Sequence, residues 1–523
     1  MSIFLRINIS SPKLLLFNNF AYNLFAKTFY MKNLSFVFIL SLISQFTFSQ
    51  YTTPGTGVIW DLIDLVDNSG GVMSIDEGIF YINDDLTISE TDTIRIISDE
   101  IVKIESDKLI TVLGVFQAQP PQELHITSID ITQNFRGFKF DESDTSILKN
   151  CIIEFGGGID LLYSDILIED CIIRNNDKSN STGVIDLFHS SPEILNCEIY
   201  LNQGPAVLSS ATAECSPLIS GNYIYHNNTT NQNMPQINLG TSEPEMGIQI
   251  INNYIEGNYD MVGGIAITTL AGGNIECLIK GNTIINNRYG ITAYGYNITS
   301  IIDSNFIQNN NIQNLPMQGG SGINLWGDVS NNSIISRNTI TGNLWGITNT
   351  GNALPNLGQI DPFIINIGEN FIYDNGNEGE IYDLYNNTPN DIFAENNYWG
   401  TYDLDSIEMH IFHEPDDASL GFVDYLPIKD TITGYGEISN PNESNFYVYP
   451  NPSSDKIFLK FSGELDDHQE TRIQIYNLSG QEVLSFNLDS KYDGLDISEL
   501  DRSTYILRVT TGNYVSFVKF IKY

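Results

Sequence analysis

Two aspartates and a scatter of basic side chains are the residues whose types and spacing suit chemistry on a carbohydrate. Asp160 in Gly158-Ile159-Asp160-Leu161 and Asp186 in Val184-Ile185-Asp186-Leu187 sit in matching local contexts. On neighbouring strands both carboxylates would point outward, one strand spacing apart. Two like charges that close either bind calcium or raise one pKa, and an acid–base pair of carboxyls is what glycoside hydrolysis needs. The competing reading, a solvated acidic face, is the one the composition favours. Proton abstraction beside a uronate would instead need a Lys or Arg base next to a cation-binding carboxylate cluster. Lys149, Arg174, Lys280, Arg288 and Arg337 flank the strands described below, yet none falls in such a motif. His410-x-x-His413-Glu414 with Asp416-Asp417 has a metal-like composition but no standard spacing, and reads as a capping loop; no metal site is assigned. Tyr289, Tyr294, Tyr296, Trp326 and Trp345 could stack on sugar rings if they line one sheet face, although packing between coils accounts for aromatics equally well.

The elements that must position these residues come from a repeat. The pattern Ile-x-x-(Asn or Cys)-x-Ile-x-x-Asn recurs with its central residue at Cys151, Cys171, Cys197, Asn222, Asn253, Asn282, Asn305, Asn338, Asn370 and Asn397. The mean spacing, about 27 residues, is that of a solenoid, and its variation fits loop insertions between fixed strands. Within Ile279-x-x-Asn282-x-Ile284, Asn282 and Ile284 are two apart and share one face of a strand. Asn stacked on Asn in the next coil can then form a continuous structural ladder, with Cys151, Cys171 and Cys197 as inward thiols in the same column. Stacked thiols on neighbouring rungs have poor disulfide geometry, so they are expected unbridged and structural. No helical period runs through residues 90 to 430. The expectation is roughly thirteen stacked coils, capped by Ile59 through Val66 at one end and, beyond Asn397-Tyr398-Trp399-Gly400-Thr401, by Ile407 through Phe412 folded over the last coil.

These units, with Asp92-Thr93-Ile94-Arg95-Ile96-Ile97 leading to Leu113-Gly114-Val115-Phe116-Gln117-Ala118, resemble bacterial right-handed parallel β-helix repeat proteins over about residues 70 to 430. The resemblance implies the fold. It leaves function open, because the architecture hosts pectate lyases, other polysaccharide lyases, hydrolases, adhesins and proteins without known activity.

Charge narrows the partners. The chain of 523 residues carries 24 Lys+Arg against 64 Asp+Glu, a formal charge of −40, which repels nucleic acid and would also repel a polyanionic glycan unless divalent cations bridged the two. Met31-Lys32-Asn33 followed by the apolar Leu34 to Ile43, with Thr47 and Ser49 before Gln50, reads as a cleaved signal peptide over residues 31–49. Residues 1–30 then read as an over-called upstream start. No later run reaches transmembrane length.

After the β-helix of residues 50–430, residues 431–444 read as a linker. Beyond it, six or seven short strands with period-two alternation predict a small Ig-like β-sandwich over residues 445–523. Val448-Tyr449-Pro450-Asn451-Pro452, Ile475-Tyr476-Asn477-Leu478-Ser479-Gly480-Gln481-Glu482-Val483, Leu500 through Val509 and the terminal Lys519-Phe520-Ile521-Lys522 resemble the C-terminal sorting domain of the type IX secretion system of Bacteroidota. Tyr449, Pro450, Asn451, Pro452, Gly480, Lys519 and Lys522 carry the match; Ser503-Thr504, where the family usually has a Gly, departs from it. The resemblance implies signal-peptide export to the periplasm, passage through the type IX machinery, and release or attachment at the outer cell surface. The whole is therefore expected to be an all-β, secreted or surface-held, single-chain protein, glycan-binding or adhesive and not an enzyme. The alternative is a calcium-dependent polysaccharide lyase or glycoside hydrolase. Apart from calcium, no cofactor is implied.

Overall fold

Short strands bury alternate residues: Ile159 and Leu161 are inside while Asp160 and Leu162 are not, and Ile168 is inside between Leu167 and Glu169. That alternation makes each strand amphipathic, and the apolar side must be covered by stacking coil upon coil. A computed structural model describes residues 50–429, apart from 179–181, 245, 270 and 361–363. It also describes the strands between Phe446 and Lys522 with parts of the stretches joining them. The signal peptide (31–49), the upstream segment (1–30) and the linker (431–444) inferred from sequence lie outside the described residues. The chain divides into two compact units, with the boundary between Lys429 and Asp430.

In the first unit three sheets each take one strand from every coil. Sheet A has fourteen strands and contains Ile159–Leu162 and Ile185–Phe188; sheet B has fourteen and contains Leu167–Glu169; sheet C has thirteen and contains Ile172–Arg174. Neighbours pair parallel and in register, except for the antiparallel hairpin Met73–Asp76 with Ile79–Ile82 near the start and a register shift between Asn356 and Gly358 against Ile392–Ala394. This is a three-sided parallel β-helix. Its core is columnar: Ile153, Ile173, Ile199, Ile224, Ile255, Ile284, Ile307, Ile340 and Ile372 follow one another up sheet C, all fully buried. Each such side chain contributes about 1.5–3 kcal/mol of transfer free energy.

From Ile147–Lys149 to Ile334–Ser336 the corner between sheets B and C turns on a single residue in the left-handed region, among them Asn150, Asp170, Asn196 and Asn252, with φ between 52° and 56°, whereas residues 359–370 make a longer connection between Asn356–Gly358 and Phe371–Tyr373. Asn, Asp and Gly reach that region at least cost, and Gly occupies it at 221 and 281. The corners from sheet C to sheet A are longer and absorb the variable spacing, as in residues 309–320 between Phe306–Gln308 and Ser321–Gly327.

Both ends are closed. The N-terminal helix, Leu62–Asn68, starts at a capping box of Asp61 and Asp64 and buries Leu62 and Leu65. It begins later than the sequence suggests because Ile59–Trp60 is claimed by sheet B, paired with Thr93–Ile94. At the other end Leu404–His410 is helical, but Ile411–Phe412 pairs beside Leu384–Asn387. The expectation that Ile407 through Phe412 folds over the last coil is thus corrected in part: two of its residues extend sheet A, because their alternation suits a strand.

The second unit holds a sheet of Phe446–Tyr449, Lys456–Phe461 and Leu495–Asp496, and an antiparallel sheet of Glu482–Leu488, Thr471–Tyr476, Ser503–Thr511 and Tyr514–Lys522. Val448, Ile457 and Leu459 from the first share one core with Ile473, Ile475, Leu507 and Phe520 from the second. Of the residues carrying the sorting-domain match, Tyr449, Lys519 and Lys522 lie in strands, and Lys522 is bridged to Ser453. Pro450, Asn451, Pro452 and Gly480 lie outside the described residues.

Candidate functional site on the outer face of sheet A

Asp160 and Asp186 are register partners on adjacent strands of sheet A, both at outward positions, with Lys139 beside Asp160 on the previous rung. Lys178, from the loop that returns from sheet C, donates to Asp160 Oδ1. The Gly183 amide donates to Asp186 Oδ1 at 3.2 Å. Burial pushes the Asp186 carboxyl up to about 6, against the pull of the Gly183 hydrogen bond and Lys178, and Asp160 adds to the rise. At the far end of the same strands Tyr163 and Phe188 are exposed, and His189 stacks on Tyr163 with centroids 5.3 Å apart and planes within 7°. A carboxylate pair therefore stands next to an open aromatic edge.

Farther along the same face, Tyr294 and Trp326 are register partners with rings stacked 4.3 Å apart at 11°. The rungs outside them carry Thr268 and Thr350, so small side chains flank the pair. Tyr296, 45% exposed, tilts onto Trp326 at 5.8 Å. Two residues back along the strands is a polar row: Asn324 Nδ2 donates to Thr292 Oγ1 at 2.6 Å, and Thr348 Oγ1 donates to Asn324 Oδ1 at 2.9 Å. Trp345 packs with Tyr382 and Tyr385, and its indole donates to Pro316 O at 2.9 Å. Tyr289 instead faces Gly263, whose Cβ, if it had one, would meet the ring at 2.1 Å; the sequence grouping of Tyr289 with the sheet-face aromatics is not what the fold produces.

Two family models match parts of the chain. Residues 114–275 match the right handed beta helix region, and residues 447–523 match the secretion system C-terminal sorting domain. The chain is a β-helix protein with a type IX sorting domain. Such a domain carries the β-helix protein to the cell surface or beyond it and implies contact with the secretion machinery. Among the described residues no helix is long and apolar enough to cross a membrane. No curated protein matches. Two solved structures are similar: the periplasmic alginate epimerase AlgG, 11% identical over 70% of this chain and 83% of that one with a TM-score of 0.36, and a tailspike double mutant of E. coli bacteriophage HK620 in complex with a pentasaccharide, 9% identical over 84% of each with a TM-score of 0.32.

The ten repeat positions of the β-helix protein form one column. Cys151, Cys171 and Cys197 are buried free thiols on successive rungs, and burial raises the pKa of Cys171 and Cys197. The Cys197 amide donates to Asn222 Oδ1 at 2.8 Å, and from there Nδ2-to-Oδ1 bonds of 2.9–3.0 Å run through Asn253, Asn282, Asn305, Asn338 and Asn370 to Asn397. A second ladder escaped the sequence reading. It is made by the last Asn of the same motif: Asn176, Asn202 and Asn227, then Asn287, Asn310, Asn343 and Asn375, ending on Asp383. The signal was present in the spacing Ile-x-x-Asn.

Most of the basic residues named from sequence are engaged away from Asp160 and Asp186. Lys149 meets Glu169 at 2.6 Å, Arg174 meets Glu154 at 2.7 Å, and Lys280 and Arg337 share Asp303 at 3.2 and 2.6 Å. Arg288 ties three return loops, donating to Gln313 at 2.6 Å, to Gln318 O at 2.6 Å and to Asn233. The histidines of the end-cap diverge: His410 Nδ1 lies 3.1 Å from Asp383, and His413 Nε2 lies 3.1 Å from Glu408. On sheet C, His125 and Arg174 hold the two oxygens of Glu154, and Arg174 donates on to Tyr200 at 2.8 Å, a network that residues 20 to 29 positions apart do not announce.

Proposed function

We propose that this secreted or surface-held β-helix protein binds an extracellular polysaccharide along the outer face of sheet A. The observation that supports it best is the Tyr294–Trp326 pair with the Thr292–Asn324–Thr348 row beside it. Sugars present apolar C–H faces and hydroxyl edges, and a ring platform next to a row of amide and hydroxyl groups meets both. The charge of −40 favours a neutral glycan, or a polyanion bridged by calcium. Trp326→Ala should weaken binding about tenfold, the equivalent of roughly 1.4 kcal/mol, while leaving thermal melting nearly unchanged, because the side chain points outward. Affinity electrophoresis against neutral glycans and polyuronates, with and without calcium, checks it; unchanged retardation of the variant would discard this face.

A second reading is favoured by one observation, the raised carboxyl of Asp186 beside Asp160. A protonated Asp186 can donate to a leaving glycosidic oxygen, with the neighbouring Asp160 carboxyl in the opposite role. Turnover read as new reducing ends should then fall as pH rises through about 6, where Asp186 loses its proton, and Asp186→Asn should abolish it without loss of glycan binding. No product from any glycan, at any pH or with calcium, would remove the reading.

A further inference from the structure

The outer face of sheet B differs from those of sheets A and C. Its register row reads Ile147, Leu167, Glu193, Leu218, Gln249, Leu278, Ile301 and Ile334 on eight successive rungs, each at an outward position opposite a buried neighbour such as Leu148, Ile168 or Ile219. None of these side chains is buried, and Ile301 is 43% exposed. Leu195 and Ile251 add apolar surface two residues on. The charges of this face cancel locally: Lys149 is paired with Glu169, and Lys280 and Arg337 with Asp303. In a chain of charge −40, that makes sheet B the face on which two copies repel least. Over these eight rungs the corner to sheet C is short, from Asn150 to Arg337, and leaves no loop standing over that edge.

We infer that sheet B is the surface on which two copies of this chain associate face to face. The commitment to a second copy rests on period and charge. An aliphatic ladder ridged at about 4.8 Å per rung is matched over its whole length by a partner with the same rung spacing, which another copy has, and a two-fold axis makes such a face self-complementary. Seven steps give a stripe about 34 Å long and, with two outward rows, on the order of 500 Å² per copy. That is below the roughly 800 Å² of a standard stable interface, so the dimer is reversible rather than permanent. It departs from the single chain that the sequence suggests and goes beyond the glycan reading of sheet A.

Sedimentation velocity of the full secreted chain, from about 1 to about 200 µM, tests it. The expected result is a concentration-dependent dimer that tightens with added salt, because salt screens the repulsion between two acidic rods. Leu218→Asp combined with Leu278→Asp should abolish the dimer while circular dichroism and melting stay those of the folded chain, since both side chains point to solvent. Trp326→Ala on sheet A should leave it intact. A chain that stays monomeric at every concentration and salt, or a dimer that survives the double substitution, overturns the proposal.

Discussion

Asn305→Ala should destabilise the β-helix by about 3–5 kcal/mol, the largest loss expected from one side chain on the ladder. Asn305 is 2% exposed. Its Nδ2 donates to Ile279 O and Asn338 Oδ1, each at 2.9 Å, and its Oδ1 accepts from both the amide and the Nδ2 of Asn282, again at 2.9 Å. Alanine orphans the Asn282 donors and the Ile279 carbonyl together, and each unmet buried group costs about 1–3 kcal/mol. Phe306→Ala, one residue away but 39% exposed on the outer face, should cost about 1 kcal/mol or less. Urea unfolding followed by far-ultraviolet circular dichroism measures both. A loss for Asn305→Ala no larger than that for Phe306→Ala would mean that the ladder does not hold the corner.

Asp92→Ala should release the first strands of the rod. The Asp92 carboxylate is fully buried and accepts four successive backbone amides, Gly55 through Oδ2 at 2.9 Å and Thr56, Gly57 and Val58 through Oδ1 at 2.9–3.1 Å. Burial works to raise its pKa, but hydrogen bonds from Thr53, Gly55, Val58 and Thr56 prevail and hold it below the usual carboxylate range. A folded pKa below the unfolded value of about 3.9 gives stability that is present above that pH and lost as pH falls through the folded pKa. Hydrogen exchange should show residues 50–60 unprotected in Asp92→Ala at neutral pH, with a stability loss of about 2–4 kcal/mol. The unsubstituted chain should lose the same protection only in acid below about pH 4. Unaltered protection in the variant would refute the role given to the carboxylate.

The coil repeat was legible because the spacing of Ile and Asn is set by the strand itself: two residues apart on one face, with the next coil bringing an identical pair overhead. That made the Asn222-to-Asn397 column readable, and Cys197 fell into it through its local parallel with Asn222. Asp160 and Asp186 were paired for the same reason. What could not be read depends on groups that meet only after many coils or loops have formed. The four amides on Asp92 come from a loop some 35 residues earlier, and His410 finds Asp383 from a different coil. Nor does the sequence separate Tyr289, turned onto a glycine, from Tyr294, turned outward, since Tyr289 precedes the strand Ile291–Gly295 that holds Tyr294 and shares no fixed phase with it.

The one-residue corner between sheets B and C has a consequence for how such a protein can change. Where it is kept it leaves no slack for an insertion, so new sequence is admitted mainly at the other two corners, chiefly where the chain comes back to sheet A, while residues 359–370, between Asn356–Gly358 and Phe371–Tyr373, mark a rung that gives the tight corner up. Equivalent corner residues such as Asn252 and Gly281 mark seams at which an entire turn of the rod could be removed or duplicated without disturbing the phase of its neighbours. The rod is thus a chassis whose length is adjustable in whole turns and whose working edge can be rewritten loop by loop, two kinds of variation that do not interfere.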